Sequence, residues 1–190
     1  MKRCSWCGND SIYVKYHDEH WGVPVHDDQE LFAQLILEGA QAGLSWITIL
    51  KKKEGYFKAF DGLNPEIMAQ YSEAKIQELI LDSGIVRNKL KIRAAVTNAH
   101  AFLRTKEKWG SFSDYLWSFV SHKVIVTSLT DKTQLIATSI QSDAMSKDLK
   151  KRGFKFVGST ICYAFMQAVG MVNDHFTDCF RYKQIKEMSE

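Results

Sequence analysis

The chain has 190 residues, 45% of them hydrophobic, and a net charge of +3. That length fits one domain with a sizeable core, and the mild charge neither demands nor excludes a nucleic-acid partner. Met1-Lys2-Arg3 opens into polar and aromatic residues, and no run approaches the ~18 apolar residues of a membrane span. A secretory signal and a membrane helix are therefore not expected, and the chain reads as cytoplasmic.

The first dense segment is "RCSWCGNDSIYVKYHDEHWG", residues 3–22, with two cysteines, two histidines, two tyrosines and two tryptophans. In a reducing compartment, cysteines point to metal ligation or burial rather than disulfides. Cys4, Cys7, His17 and His20 form one candidate ligand set, a local knuckle built on C-x2-C. A second set draws on His175 and Cys179 in "NDHFTDCF" and ties the two ends of the chain together. The i, i+4 spacing of His175 and Cys179 predicts one helix face, with Asn173 or Asp174 as the cap. Either set supplies the four thiolate and imidazole donors that close a structural zinc site. Spacing alone leans to the local set, because C-x2-C is a familiar zinc half-site, but it leaves the His175 and Cys179 pair unexplained.

Next, Phe32, Leu35, Ile36 and Gly39 follow helical periodicity over 29–42. Glu38 falls beside that apolar stripe, where a charge is costly unless paired or functional. "QAGLSW" follows, with a glycine turn at Gly43, an apolar tip at Leu44, and Trp46. A carboxylate near aromatic rings is a sensible receptor for a flat, positively charged heterocycle. Lys51, Lys52 and Lys53 read as a solvated face, as do Lys150, Lys151, Arg152 and Lys155.

Asn64-Pro65 and Ser72 are helix starts. "LILDSGIVRNKLKI", residues 79–92, breaks at Gly84-Ile85-Val86 and enters a helix carrying Arg87, Lys89, Lys91 and Arg93. Ile92, Ala95, Val96, Ala99, Phe102 and Leu103 extend that helix, giving a helical hairpin over about 76–103. Its helix start, with nearby cations, predicts a phosphate site. It resembles the helix-hairpin-helix of DNA repair glycosylases, with Val86 in place of the usual second hairpin glycine. "VIVTS" at 124–128 reads as a strand or an extended connection. Residues 159–170, "STICYAFMQAVG", are apolar on nearly every side, as in a helix at the centre of a bundle. The fold class is all-α, a single domain over 1–190 of two closely packed helical lobes.

Taken in order, "YHDEHWG", "LEGAQAGLSWITILKK", "SGIVRNKLKI" and "KKRGFKFVGSTICYAFMQAVGMVNDH" closely resemble the bacterial DNA-3-methyladenine glycosylase I family. The resemblance implies an all-α helix-hairpin-helix glycosylase fold with one structural zinc ion joining the termini. Its ligands fall on Cys4, His17, His175 and Cys179, which leaves Cys7 and His20 without metal. It places the base pocket on Glu38, Tyr16 and Trp46, with Tyr13, Trp21 and Trp6 nearby, and gives Glu38 the catalytic role. The wedge that fills the gap of an extruded nucleotide is Gly43-Leu44, and Gly84, Val86, Arg87 and Lys89 contact DNA. Implied are a monomer acting on duplex DNA with alkylated bases and free 3-methyladenine as product. The family lacks the aspartate that many hairpin glycosylases carry, and no aspartate follows this hairpin before Asp114. With no obvious lysine nucleophile, hydrolysis without lyase activity is expected.

Overall fold

Short polar residues that satisfy the first backbone amides set many of the helix starts. In the computed structural model, which describes residues 1–188, α1 (Ser11–Glu19) is capped by Asp10 and α2 (Asp28–Gln41) by Asp27. A short α4 (Pro65–Met68) begins at Asn64 with proline in its first turn, after α3 (Trp46–Ala59). Ser72 caps α5 (Glu73–Leu81), and Asn88 caps the long α6 (Lys89–Trp109). Each such cap contributes ~1 kcal/mol. Then come α7 (Phe112–Trp117), α8 (Ile140–Lys151), α9 (Ser159–Ala168) and α10 (Phe180–Met188).

"VIVTS" does become a strand, but a minimal one. β1 (Ile125–Val126) runs parallel to β2 (Val172–Asn173), pairing Ile125 with Val172. The rest is helical, as expected. α9 packs on α2 and on α8, with Cys162, Phe165 and Met166 fully buried. Phe32, Phe102 and Phe112 meet ring to ring between α2, α6 and α7. A second, smaller apolar cluster gathers Cys4, Tyr16, Trp21, Phe176 and Cys179 where the chain's end returns to its beginning. There the Phe180 amide donates to the Lys2 carbonyl at 3.0 Å. No described helix is long and apolar enough to cross a membrane.

The α5–α6 hairpin nests against α3. A Cβ on Gly55 would lie 2.3 Å from the Gly84 carbonyl oxygen, so only glycine permits this approach. The Tyr56 hydroxyl accepts from the Val86 amide at 3.3 Å, and Lys52 donates to the Ser83 carbonyl at 2.7 Å. Two expectations change here. The Asn88 carboxamide already takes the Leu90 and Lys91 amides at 3.0 and 3.1 Å, so these are not free for phosphate. Lys91 does not face outward as a phosphate contact either. Its ammonium binds the Ala40 and Ala42 carbonyls at 2.8 and 2.6 Å, where the C-terminal end of α2 leaves acceptors unpaired. Arg87 and Lys89 remain exposed.

Candidate functional site

The two ends of the chain meet in a buried group of four side chains. Cys4, His17, His175 and Cys179 each offer one donor atom, all within 4.8 Å of one another, a group that could hold a metal ion. Cys4 Sγ lies 3.6 Å from His175 Nδ1, and Cys179 Sγ lies 3.5 Å from His17 Nε2 and 3.6 Å from His175 Nδ1. Both imidazoles are held from behind. His17 Nδ1 meets Asp18 Oδ1 at 2.8 Å, and Arg3 grips that carboxylate through Nε and Nη2 at 2.8 Å each. His175 Nε2 meets the Trp21 carbonyl at 3.1 Å. Such partners select the tautomer that leaves the other nitrogen free as a ligand. Asp18 sits below the usual carboxylate range because Arg3 donates to it. Hydrogen bonding with Cys4, His17 and His175 holds the Cys179 thiol low against its burial, which favours the thiolate.

The local knuckle does not form. Cys7 Sγ donates to the Cys4 carbonyl at 3.2 Å, and His20 faces the Tyr16 ring at a centroid distance of 6.5 Å. His175 and Cys179 do converge, but not from a helix. They lie in the turn between β2 and α10, where Asn173 Oδ1 accepts the His175 amide at 3.3 Å. Asn173 and Asp174 therefore cap no helix, and Asp174 is buried among hydrogen-bond donors. Gly22, at φ +84°, makes room for the cluster, since a Cβ there would meet His175 Nε2 at 3.0 Å.

The metal group shares walls with a cavity of ≈ 250 Å³, close to the small end of ligand sites, which run from ~300 to 1,000 Å³. Trp6 and Trp21 line it, and both also pack on the histidines. Trp21 lies 4.6 Å from the His175 ring, and Trp6 lies 5.3 Å from that of His17. Tyr13 and Tyr16 come from α1, with Trp46 at the start of α3 5.4 Å from Tyr16. Every aromatic residue assigned to the pocket lies on this one cavity.

Glu38 lines it from α2, and only 3% of the residue is exposed. Among the described residues its one hydrogen bond comes from Gln34 Nε2, at 2.8 Å, and it has no ion-pair partner. Burial raises its pKa to about 8, against the weaker effect of Gln34. The same burial, and Glu38 beside it, hold Tyr16 well above the ordinary phenol value. Such an arrangement binds a cation that can itself be desolvated against aromatic faces.

At the end of α2, Gly43 takes φ +77° and Gln41 Nε2 donates to the Leu44 carbonyl at 2.8 Å. Leu44 is thereby displayed next to Gln41, a wall residue, with 38% of it exposed. The lining also includes Leu135, from the loop after β1, and Ala164 and Gln167 of α9. Sequence reasoning missed Gln34, Gln41 and these three. For Gln34 the signal was present, because it lies one turn before Glu38 on the same helix.

A family model described as methyladenine glycosylase matches residues 6–182. The chain is 48% identical to the DNA-3-methyladenine glycosylase 1 of Escherichia coli K12, over 96% of this chain and 97% of that protein. It superimposes on a crystal structure of a 3-methyladenine DNA glycosylase I with a TM-score of 0.92, at 47% identity, covering 94% of this chain and 98% of that one. The Staphylococcus aureus 3-methyladenine DNA glycosylase I, studied for its recognition of 3-methyladenine, gives a TM-score of 0.92 at 39% identity, over 95% and 96%. With nearly the whole sequence matched by the family model and by relatives of almost equal length, the chain belongs to the methyladenine glycosylase family.

Proposed function

We propose that this chain is a DNA-3-methyladenine glycosylase of base-excision repair, hydrolysing the N-glycosidic bond of 3-methyladenine in duplex DNA. The observation that carries this reading is Glu38, a buried carboxylate with no cationic partner, opening into an aromatic cavity. Methylation at N3 leaves the base positively charged, and the bond to sugar then breaks to release a neutral base. An enzyme for such a lesion needs chiefly to extract it and hold it apart from ordinary, neutral bases. Extrusion costs a few kcal/mol in unstacking, less at a damaged pair. Trp46 and Tyr16 stack the extruded base, and Tyr13, Trp21 and Trp6 complete the walls. Leu44, held out by the Gly43 turn, fills the gap left in the duplex.

Glu38 has the central role. Its negative charge is expensive in the closed site and becomes favourable when the cationic base arrives. Water then attacks C1′ of the sugar. No lysine lines the cavity among the described residues, so hydrolysis leaves an abasic site without strand cleavage. At the hairpin the exposed Arg87 and Lys89 track the DNA phosphates, since the Gly84 amide is taken by Asp82 Oδ1 at 2.6 Å and the Val86 amide by the Tyr56 hydroxyl at 3.3 Å.

The four-residue cluster fits a structural zinc ion. A tetrahedral zinc with bonds of ~2.3 Å to sulfur and ~2.0 Å to nitrogen separates the two donor types by about 3.5 Å. Three of the four sulfur–nitrogen distances are 3.5 to 3.6 Å, and all four donor atoms lie within 4.8 Å of one another. Four protein ligands, Cys4, His17, His175 and Cys179, would leave no open position, so a bound ion would supply a clasp between the chain's ends rather than a reacting water. The clasp braces Trp6 and Trp21, and so the pocket. The test is product analysis. Alkylated duplex DNA incubated with the protein should yield free 3-methyladenine and abasic sites that break only on later alkali treatment. Release of no base, or direct strand cleavage, would overturn the reading.

A further inference from the structure

We infer that Gln167 sets the base specificity of this cavity: its amide is locked by Asp174 so that the carbonyl oxygen serves the cavity as a second acceptor, selecting purines with an exocyclic amine over their oxo counterparts. The inference rests on the reading of the cavity as a base pocket. Asp174 is 2% exposed. Its carboxylate accepts from the Tyr163 hydroxyl at 2.7 Å, from Gln167 Nε2 at 2.7 Å and from Thr127 Oγ1 at 2.8 Å.

The two ends of a glutamine amide have nearly the same shape, and its neighbours decide which way it points. Here a carboxylate receives it, and the reversed amide would press oxygen against oxygen. Nε2 is therefore committed to Asp174, and the planar group turns Oε1 the other way. No group among the described residues donates to Oε1. Gln167 lines the cavity and Asp174 does not. The atom left for a ligand is an acceptor.

The Gln167 carbonyl is thus a fixed acceptor in the cavity beside Glu38, whose carboxyl accepts only when it is ionised. An exocyclic amine brings two N–H groups to such a site. An oxo group brings lone pairs and leaves the Gln167 acceptor unpaired. Sites built to accept from a substrate N–H reject the analogue lacking it, because buried polar groups are then left without partners.

Two free bases compare the amine with the oxo group, and the imidazole N–H that the neutral oxo base also carries is common to the wild-type and variant titrations. 3-Methyladenine and 3-methylhypoxanthine differ at the six position, amino in one and oxo in the other. Quenching of tryptophan fluorescence on titration reads their affinities, since three tryptophans line the cavity. The wild-type protein should favour 3-methyladenine by at least ~10-fold. Gln167→Met and Gln167→Leu keep the bulk but lose the amide, and either should lower that preference by about 3- to 10-fold, through weaker 3-methyladenine binding. Melting temperature and metal content confirm that each is folded, and one folded variant suffices. An unchanged preference in a folded variant overturns the assignment. Failure of the underlying function looks different, because wild-type protein would then bind neither base and excise nothing from alkylated DNA.

Discussion

Replacing Glu38 by glutamine should change how stability depends on pH, even in the absence of DNA. The buried carboxyl has its pKa raised from 4.5 to about 8 in the folded protein. Between those values the folded state holds a proton that the unfolded chain releases. The stability this contributes is fully present below the lower value and is lost as pH rises through the upper one. Every tenfold gain in proton affinity on folding is worth ~1.4 kcal/mol, which sets a ceiling of about 5 kcal/mol for the whole window. Water drawn in by the ionised group lowers the realised loss to about 2–3 kcal/mol. The amide of the Glu38→Gln variant does not titrate. Urea melts of both proteins at pH 5, 6.5, 8 and 9 should therefore show the wild type losing stability relative to the variant, with most of the divergence complete near pH 8. Parallel curves across that range would refute the claim that Glu38 is desolvated without a compensating cation.

Cys179→Ser should release the metal and lower the melting temperature by several degrees, whereas Cys7→Ser should do neither, as metal analysis and thermal melts will show. Gly55→Ala should destabilise by ~1–3 kcal/mol and weaken duplex binding, because its Cβ would fall 2.3 Å from the Gly84 carbonyl oxygen and push the hairpin away. A variant stabilised by ~1 kcal/mol, as helix propensity alone would give, contradicts that close approach. Lys91→Met should cost about 1–3 kcal/mol in denaturant melts by freeing the Ala40 and Ala42 carbonyls. Its effect on the salt dependence of duplex binding should be small, since its ammonium is spent inside the protein.

Much of this was legible from residue chemistry. Helices announced themselves through periodicity and through the starts at Asn64 and Ser72. Glu38 stood out as a charge beside an apolar stripe, and its burial follows from that position. The metal cluster was less accessible. Local C-x2-C spacing pointed to Cys7, and only the family resemblance selected the partners at the far end. The i, i+4 spacing of His175 and Cys179 suits a helix, yet a turn held by Asn173 converges the same two donors. The start of α6 and Lys91 misled for a related reason. The first α6 amides meet the Asn88 cap rather than a phosphate, and Lys91 meets carbonyls that the end of α2 leaves unpaired. Gln41, Leu135, Ala164 and Gln167 carry no chemical oddity in sequence. Gln41 reaches the cavity from the end of α2, and the other three only because α9 packs on α2 and the loop after β1 closes the same cavity.

The proposed recognition sets a buried charge against a charged base, and single-turnover excision tests it most directly. Rates of 3-methyladenine release from alkylated duplex DNA should be measured for the wild type and Glu38→Gln above pH 8, where the carboxylate is ionised. A hydrogen bond to a charged group contributes ~1.5–3 kcal/mol, so the variant should be slower by roughly 10- to 150-fold. Equal rates in the two proteins would contradict a charged receptor at Glu38.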